Sequence, residues 1–256
     1  MECRKGLDMK VILLAAGRGS RLGDLTKEKP KCMCQLAGKT LLERCLSTME
    51  RAGFQRKDIG IVTGYKKELF DIEGVTYFHN ENWEKTNMVA SLLKAREWLE
   101  KEPCIVCYSD IVFQEDAIVL LKECKDDLAI TSYTGFWELW SKRLENPLED
   151  LETFRMDAQQ HLLEIGGKPT KREEIEGQYM GLLLITPQGF EAMKKTMQHP
   201  LKKTMEQLDM TTLLNALLED GEQISVLPVN SLWLECDTET DIQVYEQFYK
   251  EILEEK

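Results

Sequence analysis

Short apolar runs alternate with longer amphipathic segments through the first half of the chain. The runs are typical of buried strands and occur at 10–15, 59–63, 75–78, 104–108 and 128–133. Apolar residues at helical spacing lie between them, at 40–52, 88–99 and 117–124. The order β-α-β-β-α-β-α-β predicts a largely parallel sheet with helices on both faces.

The second half has shorter and more varied elements. We expect a single α/β domain over 9–256 that follows a disordered lead at 1–8 and carries an elaboration around 134–180, because no repeat or linker marks a boundary. In this second half, the predicted strands are 154–157, 162–166, 180–185, 224–229 and 233–236, and the predicted helices are 187–197, 210–218 and 241–254.

Composition narrows the class of protein. The 256 residues are 43% hydrophobic and 30% charged, which is an ordinary globular balance. The net charge of −12 opposes a nucleic-acid partner but allows a small phosphate ligand in a locally basic pocket. No apolar run is long enough to cross a bilayer, and the first residues lack a signal-peptide stretch, so we expect a cytoplasmic protein.

The eight cysteines are expected to be reduced. Cys104 and Cys107 lie in an apolar run and Cys45 lies on the apolar face of a helix, which is typical of core thiols. A zinc site at Cys32 and Cys34 is not expected, because no histidine has ligand spacing to a cysteine.

The segment 11–22 is the most informative part of the chain. A buried strand leads into Gly17 and Gly19, whose small size lets backbone amides approach an anion closely. Arg21 can donate to phosphate oxygens, and Arg18, Lys29 and Lys31 add positive charge nearby. The pattern predicts a phosphate-binding loop rather than an ordinary turn between strand and helix.

Two familiar phosphate loops are excluded by spacing. A dinucleotide fingerprint needs a glycine three places after Gly19, where Leu22 stands. A P-loop needs a glycine five places before Gly38, where Met33 stands. The stretch 38–40 is therefore interpreted as a turn that enters a helix.

The sequence 14–22, followed by Lys29-Pro30-Lys31, resembles the opening motif of the sugar-phosphate and choline-phosphate nucleotidyltransferases. The resemblance extends over nearly the whole chain, with further matches at 64–65, 87–92, 109–110 and 235–237, and is closest to bacterial choline-phosphate cytidylyltransferases. It implies a Rossmann-like three-layer α/β/α sandwich with a mostly parallel mixed sheet. It also implies Mg²⁺-dependent transfer of a cytidylyl group from CTP to phosphocholine, giving CDP-choline and pyrophosphate.

The resemblance assigns roles residue by residue. Arg21 would bind the leaving phosphates, and Lys31 would reach the α-phosphate. Asp110 and Asp237 would hold one Mg²⁺, although each could instead be a strand-end turn residue, and Asp241 or Glu235 could substitute for Asp237. The expected nucleotide-binding residues are Leu14, Ala15, Ala16, Gly17, Gly19, Gly64 and Tyr65.

The acceptor site is expected between the aromatic cluster at 136–140 and residue 181. Trp137 and Trp140 would form a cation–π cage for an ammonium group or, alternatively, one turn of a buried helix. Asn87, which could simply cap a helix, and Glu176 and Tyr179 are further candidate acceptor contacts.

An apparent insertion at 146–155 leaves other acceptors open: 2-aminoethylphosphonate, another amine-bearing phosphate or a sugar 1-phosphate. A dehydrogenase is opposed by the broken dinucleotide fingerprint, and a non-catalytic nucleotide sensor is opposed by the presence of all four charged site residues. The expected partners are CTP and a small phosphorylated acceptor, and the oligomeric state stays open.

Overall fold

The protein is described by a computed structural model that covers residues 9–254, so the lead predicted at 1–8 lies outside the described residues. The strands are β1 (Lys10–Ala15), β2 (Gln35–Leu36), β3 (Lys39–Thr40), β4 (Ile59–Thr63), β5 (Thr76–His79), β6 (Cys104–Tyr108), β7 (Ile111–Phe113), β8 (Leu128–Tyr133), β9 (Phe154–Met156), β10 (Leu162–Ile165), β11 (Gln178–Ile185), β12 (Ser225–Val229) and β13 (Trp233–Glu235). The helices are α1 (Leu41–Arg51), α2 (Met88–Leu92), α3 (Arg96–Leu99), α4 (Glu115–Glu123), α5 (Phe136–Arg143), α6 (Pro187–Thr196), α7 (Met210–Glu219) and α8 (Glu239–Glu254).

A seven-stranded sheet forms the centre, in the order β12-β8-β11-β6-β1-β4-β5. All of its strands run parallel except β11, which is antiparallel to both β6 and β8. Helices α1 and α4 pack together, and α2, α6 and α7 form a second group, so that both faces of the sheet are covered. The mostly parallel mixed sheet with helices on both faces is thus confirmed.

The central strands read as continuous hydrophobic runs because both of their faces are covered. In β1, every residue from Val11 to Ala15 is buried, and the same is true of all five residues of β4. Within 9–254, the helices are too short or too polar for any of them to cross a bilayer. The seven cysteines of the described part are all buried, as expected for core thiols.

Strand β1 lies at the point where the chain reverses direction across the sheet. From β1 the chain moves outward to β4 and β5 and then returns to β6 on the other side of β1. Ligands of open α/β sheets bind beyond the carboxyl ends of the strands at such a reversal. The ends of β1, β4 and β6 therefore define where a site is expected.

The structure departs locally from the sequence pattern at a helix, a strand and a turn. The helix expected over 88–99 is divided into α2 and α3, because the backbone at Ala95 leaves the helical region after a 3-10 turn over Leu93–Ala95. Strand β7 was not anticipated, since three apolar residues are too few for a period to show. The turn expected at 38–40 lies one residue earlier: Ala37 and Gly38 have φ of 47° and 78°, as a two-residue hairpin loop requires. Lys39 and Thr40 form β3, and Thr40 is the N-cap of α1.

Candidate active site

The glycine-rich loop leaves the carboxyl end of β1 and reaches Lys31. Gly19 has φ of 76°, and a Cβ placed there would lie 2.6 Å from Cβ of Lys31. The missing side chain thus lets the lysine stem pass against the loop backbone. A Cβ at Gly17 would meet no protein atom within 4 Å, because this residue faces an open cavity. Packing within the chain therefore requires glycine at Gly19, whereas Gly17 leaves its part of the cavity free of a side chain.

Lys31 joins two aspartates that are 127 positions apart in the chain. Its Nζ lies 2.6 Å from Oδ2 of Asp110 and 2.6 Å from Oδ1 of Asp237. Arg21 Nη2 donates to the same oxygen of Asp237 at 2.9 Å, while its side chain stays 66% exposed. The four charged residues that the sequence singled out therefore form one cluster.

Strand pairing beyond the central sheet brings the two aspartates together. Antiparallel pairing of β13 with β7 places Glu235 opposite Ile111, and the Cys236 amide donates to the Asp110 carbonyl at 3.0 Å. On the other side, the Ser109 hydroxyl donates to the carbonyl of Leu14 at 2.7 Å, which fixes the end of β6 against the end of β1. Hydrogen bonds on both sides thus set the position of Asp110.

Burial and charge shift the pKa values in this cluster. Burial tends to raise the pKa of Asp237, but Lys31 and Arg21 outweigh it and hold the pKa below its usual value. Burial tends to lower the pKa of Lys31, but Asp110 and Asp237 raise it overall. Burial and the two nearby aspartates raise the pKa of Glu235 to about 8. The cluster thus contains a charged lysine–aspartate pair beside a carboxyl group, that of Glu235, whose raised pKa favours the protonated form at neutral pH.

The cluster has oxygen donors that suit a hard divalent cation. Oδ1 of Asp110 is buried and has no hydrogen-bond partner in the described part of the chain. Between residues 9 and 254, no group of three or more His, Cys, Asp or Glu side chains is arranged to hold a metal. Mg²⁺ is commonly held by one or two carboxylates together with substrate phosphates. Asp110 and Asp237 fit that pattern, in which a nucleotide supplies the remaining oxygens.

A cavity of about 230 Å³ opens beside this cluster. The structure adds Trp83, Thr86 and Tyr108 to the residues expected from the sequence; Trp83 and Thr86 follow β5, and Tyr108 is the last residue of β6. Gly64 and Tyr65 do not line the cavity, although Tyr65 donates its amide to the carbonyl of Ala16 at 3.0 Å. The cavity is lined by Leu14, Ala16, Gly17, Gly19, Lys31, Trp83, Thr86, Asn87, Met88, Ser91, Tyr108, Ser109 and Asp110.

Trp83 connects the expected nucleotide-binding residues to the cavity. A Cβ at Gly64 would lie 2.6 Å from both the Ala16 carbonyl oxygen and Cβ of Trp83, so only glycine fits between them. The Tyr65 ring packs at 5.1 Å from the Trp83 ring, and the Arg18 guanidinium lies 5.8 Å from the Tyr65 ring. Gly64 and Tyr65 therefore support the wall from behind.

Asn87 is both a helix cap and a wall residue. Its side-chain oxygen accepts a hydrogen bond from the Met88 backbone amide at 2.8 Å at the start of α2, and its backbone amide donates to the Glu206 carbonyl at 2.6 Å. Just before it, buried Asn80 donates to the Thr86 and Ser91 hydroxyls at 2.9 and 3.0 Å. The capping alternative and the ligand-side position are thus compatible.

The aromatic pair splits between core and surface, which corrects the expected cage. Trp140 is 2% exposed, stacks on Trp233 at 5.7 Å and donates its indole N–H to Asp150 at 2.9 Å. It is a core residue because the buried face of α5 turns toward β13. Trp137, on the partly exposed side of α5, lies 4.9 Å from the Arg172 guanidinium and does not line the cavity.

The last two acceptor candidates lie at different depths. Glu176 is exposed and accepts from the Met156 amide at 2.7 Å, so it braces β9 outside the cavity. Tyr179 packs edge-on against Tyr108, with ring centroids 5.8 Å apart, and so backs the cavity wall that Tyr108 forms. Of the five expected acceptor residues, Asn87 lines the cavity and Tyr179 lies directly behind its wall.

A glycine-rich loop lies at the end of β1, where the chain reverses direction across the sheet, and paired basic and acidic side chains lie beside it. This arrangement is typical of an enzyme of the nucleotidyltransferase type. Residues 11–168 match the family described as the MobA-like NTP transferase domain, and the chain belongs to that family. The resemblance to nucleotidyltransferases seen in the sequence is thereby confirmed.

One relative extends the similarity over nearly the whole chain. The CTP:phosphoglutamine cytidylyltransferase of Campylobacter jejuni subsp. jejuni is 34% identical over 255 residues, which cover 92% of this chain and 98% of that protein. A choline-phosphate cytidylyltransferase from Streptococcus pneumoniae is 37% identical over 95 residues, covering 36% of this chain and 41% of that protein. The likeness to choline-phosphate enzymes such as this one thus covers less than half of the chain.

The fold has a counterpart among solved structures. The inositol-1-phosphate CTP transferase from T. maritima superposes with a TM-score of 0.73 at 19% identity, covering 95% of this chain and 96% of that one. At this identity the likeness concerns the fold, which is confirmed as a Rossmann-like nucleotidyltransferase architecture.

Proposed function

We propose that the protein transfers the cytidylyl group of CTP to a small phosphorylated acceptor and releases pyrophosphate. The observation that carries this proposal is the bridge from Lys31 to Asp110 and Asp237 beside the glycine loop. Nucleotidyl transfer requires phosphate charges to be held and neutralised at one point. A buried ammonium between two carboxylates at the end of β1 supports that reaction.

The chemistry needs little proton transfer. An acceptor phosphate oxygen forms a bond to the α-phosphorus of CTP, and the bond from that phosphorus to the oxygen bridging to the β-phosphate breaks. A phosphate group with a second pKa of about 6 is already largely dianionic at neutral pH, so no strong base is required. Catalysis then depends on positioning and charge, and Lys31, Arg21 and the loop amides supply both.

Each residue has a place in this scheme. Arg21, whose guanidinium is mostly exposed, is free to hold the leaving β- and γ-phosphates. Lys31 holds the α-phosphate from its buried position under the loop. Asp110 and Asp237 would hold Mg²⁺, which neutralises phosphate charge when bound.

For the acceptor we propose phosphoglutamine. The support is similarity over nearly the full length of a phosphoglutamine enzyme, whereas the choline-phosphate relatives match less than half of the chain. The aromatic rings of Trp83 and Tyr108 on the cavity wall favour an acceptor that carries an ammonium group. Phosphoglutamine, phosphocholine and 2-aminoethylphosphonate all carry a positively charged ammonium group, and a sugar 1-phosphate without one is disfavoured.

The decisive assay is pyrophosphate release by the purified chain. CTP, UTP, ATP and GTP are each combined with phosphoglutamine, phosphocholine, 2-aminoethylphosphonate and glucose 1-phosphate, with and without Mg²⁺. We expect the highest kcat/KM for CTP with phosphoglutamine, and only with Mg²⁺ present. A higher kcat/KM with phosphocholine would identify phosphocholine as the acceptor in place of phosphoglutamine. A preference for UTP would refute cytidylyl transfer. Absence of pyrophosphate release from every pair would refute the proposal as a whole.

A matched pair of variants tests the site itself. Asp110→Asn should lower kcat at least about 100-fold, because it removes a charge at the centre of the cluster. Asp58→Asn is the control, since Asp58 makes a comparable lysine pair, to Lys10 at 2.9 Å, at the opposite end of β1. Equal activity in the two variants would exclude Asp110 from the site.

A further inference from the structure

A buried ion pair links α5 to the turn that carries Asp237. Nε of Arg143 donates to Oδ1 of Asp241 at 2.7 Å, and the two side chains are 4% and 5% exposed. Arg143 is the last residue of α5, whereas Asp241 lies in the first turn of α8. The pair therefore joins two elements that sequence reasoning treated separately.

The other oxygen of Asp241 fixes the backbone at Asp237. Oδ2 accepts from the Asp237 amide at 3.0 Å and from the Thr238 amide at 2.8 Å. In return, the Thr238 hydroxyl accepts from the Asp241 amide at 3.2 Å, so the two residues cap the start of α8 reciprocally. One carboxylate thus holds both the beginning of the helix and the peptide group of Asp237.

Arg143 is itself held from several sides. Its guanidinium lies 4.7 Å from the Trp140 ring, and Nη2 lies 3.6 Å from Asp150, which also accepts the Trp140 indole N–H. Burial tends to lower the pKa of Arg143, but Tyr245, Asp241 and Glu235 raise it, so the guanidinium stays charged. The segment around 140–150 therefore presents a fixed positive charge to Asp241.

We propose that Arg143 is a positioning residue for the active site, which orients the carboxylate of Asp237 toward Lys31 and Asp110 through Asp241. This inference rests on the function proposed above, because Asp237 is taken there as a metal-holding residue. It gives part of the elaboration around 134–180 a role in supporting the metal-holding side of the cluster. Residues that orient ligand side chains typically change metal affinity or activity about 10- to 100-fold when replaced.

The matched variants are Arg143→Met and Lys142→Met. Lys142 lies next to Arg143 and also contacts α8, through the Tyr249 hydroxyl at 3.1 Å, but it pairs with Glu138 rather than with the turn at 237–241. Both changes remove one positive charge from α5, and the difference between them isolates the contact with Asp241. Arg143→Lys, which keeps the charge but loses the planar fork, should give a smaller loss in the same direction and replaces the methionine variant if that variant does not fold.

The first readout does not depend on catalysis. Hydrogen exchange of the peptide spanning 235–242 in the full chain should become faster in Arg143→Met than in the wild type and stay unchanged in Lys142→Met. Unchanged exchange in Arg143→Met would show that Arg143 does not fix this turn and would overturn the proposal.

The second readout is Mn²⁺ affinity, followed by electron paramagnetic resonance with CTP present and no acceptor. We expect Arg143→Met to weaken Mn²⁺ binding about 10- to 100-fold and to lower kcat more than it raises KM for CTP. Asp237→Asn serves as the reference. If Asp237→Asn weakens Mn²⁺ binding and Arg143→Met does not, the positioning role is wrong; if Asp237→Asn has no effect, the metal assignment in the proposed function fails instead.

Discussion

Replacement of Lys31 by Met tests the centre of the site, because it removes one charge and keeps a side chain of similar length. Nζ of Lys31 contacts Asp110 and Asp237 at 2.6 Å each, and the lysine side chain is 12% exposed. The variant therefore leaves two carboxylates without their shared cation. Arg21 remains beside Asp237 at 2.9 Å and compensates only in part.

The structure sets the expected magnitude for stability. Removal of one partner from a buried ion pair typically costs about 3–5 kcal/mol. The lower end applies here, at about 3 kcal/mol, because Asp110 is 22% exposed and Arg21 still pairs with Asp237. For activity, the loss of one preorganised charge should lower kcat about 100- to 1000-fold.

The stability difference should depend on pH in a fixed direction. Lys31 and Arg21 hold the pKa of Asp237 below its usual value against the effect of burial. The stabilisation from ionised Asp237 is therefore complete above the unfolded-state pKa of about 3.9 and is lost as the pH falls through the folded-state value. The free energy of unfolding of the wild type should exceed that of Lys31→Met most at neutral pH, and this difference should narrow below about pH 4.

The assay is denaturant unfolding of both proteins in EDTA at pH 7, 5 and 3.5, together with kcat at pH 7. Lys29→Met removes the same charge two residues away and serves as the control. A Lys31→Met protein that matches the control in stability and in kcat would refute the reasoning about the bridge. A loss in kcat with no loss in stability would place Lys31 in catalysis alone.

Four further changes have separate expected outcomes. Gly19→Ala should lower kcat at least tenfold, because its Cβ would displace Lys31. Gly38→Ala is the control: its φ is 78° with open space around it, so the change should cost only about 1–2 kcal/mol of stability. Equal kcat in the two variants would contradict the steric argument. Thr40→Ala breaks the capping box with Glu43 and should lower the unfolding free energy by about 1 kcal/mol with kcat unchanged. Trp140→Phe should lower Tm without changing KM for the acceptor, because Trp140 is a buried core residue. A raised KM would show that Trp140 contributes to acceptor binding. EDTA should abolish turnover and added Mg²⁺ should restore it, and turnover that persists in EDTA would exclude a metal requirement.

Much of the site could be predicted from the sequence because its chemistry is local. Gly17, Gly19 and Lys31 lie within one short stretch after β1, where an apolar run, small residues and basic residues follow each other directly. Alternation of apolar runs with helical spacing likewise predicted the sheet, since strands buried on both faces must be hydrophobic throughout. These features depend on neighbours in the chain, which a single sequence displays.

Contacts between residues far apart in the chain could not be predicted from such local patterns. Asp110 and Asp237 were singled out separately, but their meeting at Lys31 depends on β7, whose three residues carry too little pattern to predict, pairing with β13. The interval between Trp137 and Trp140 is the same in an aromatic cage and in a buried helix turn, and only the packing of Trp140 on Trp233 decided between them.

The sequence by itself determined the reaction loop and the class of enzyme, because both are encoded by residues close together in the chain. The tertiary structure decided which side chains share the cavity with that loop. Trp83 and Tyr108 line its wall, Tyr65 stands behind it, and Arg143 reaches Asp237 through Asp241. Those relations follow from strand order and helix packing, whose long-range contacts no local pattern specifies.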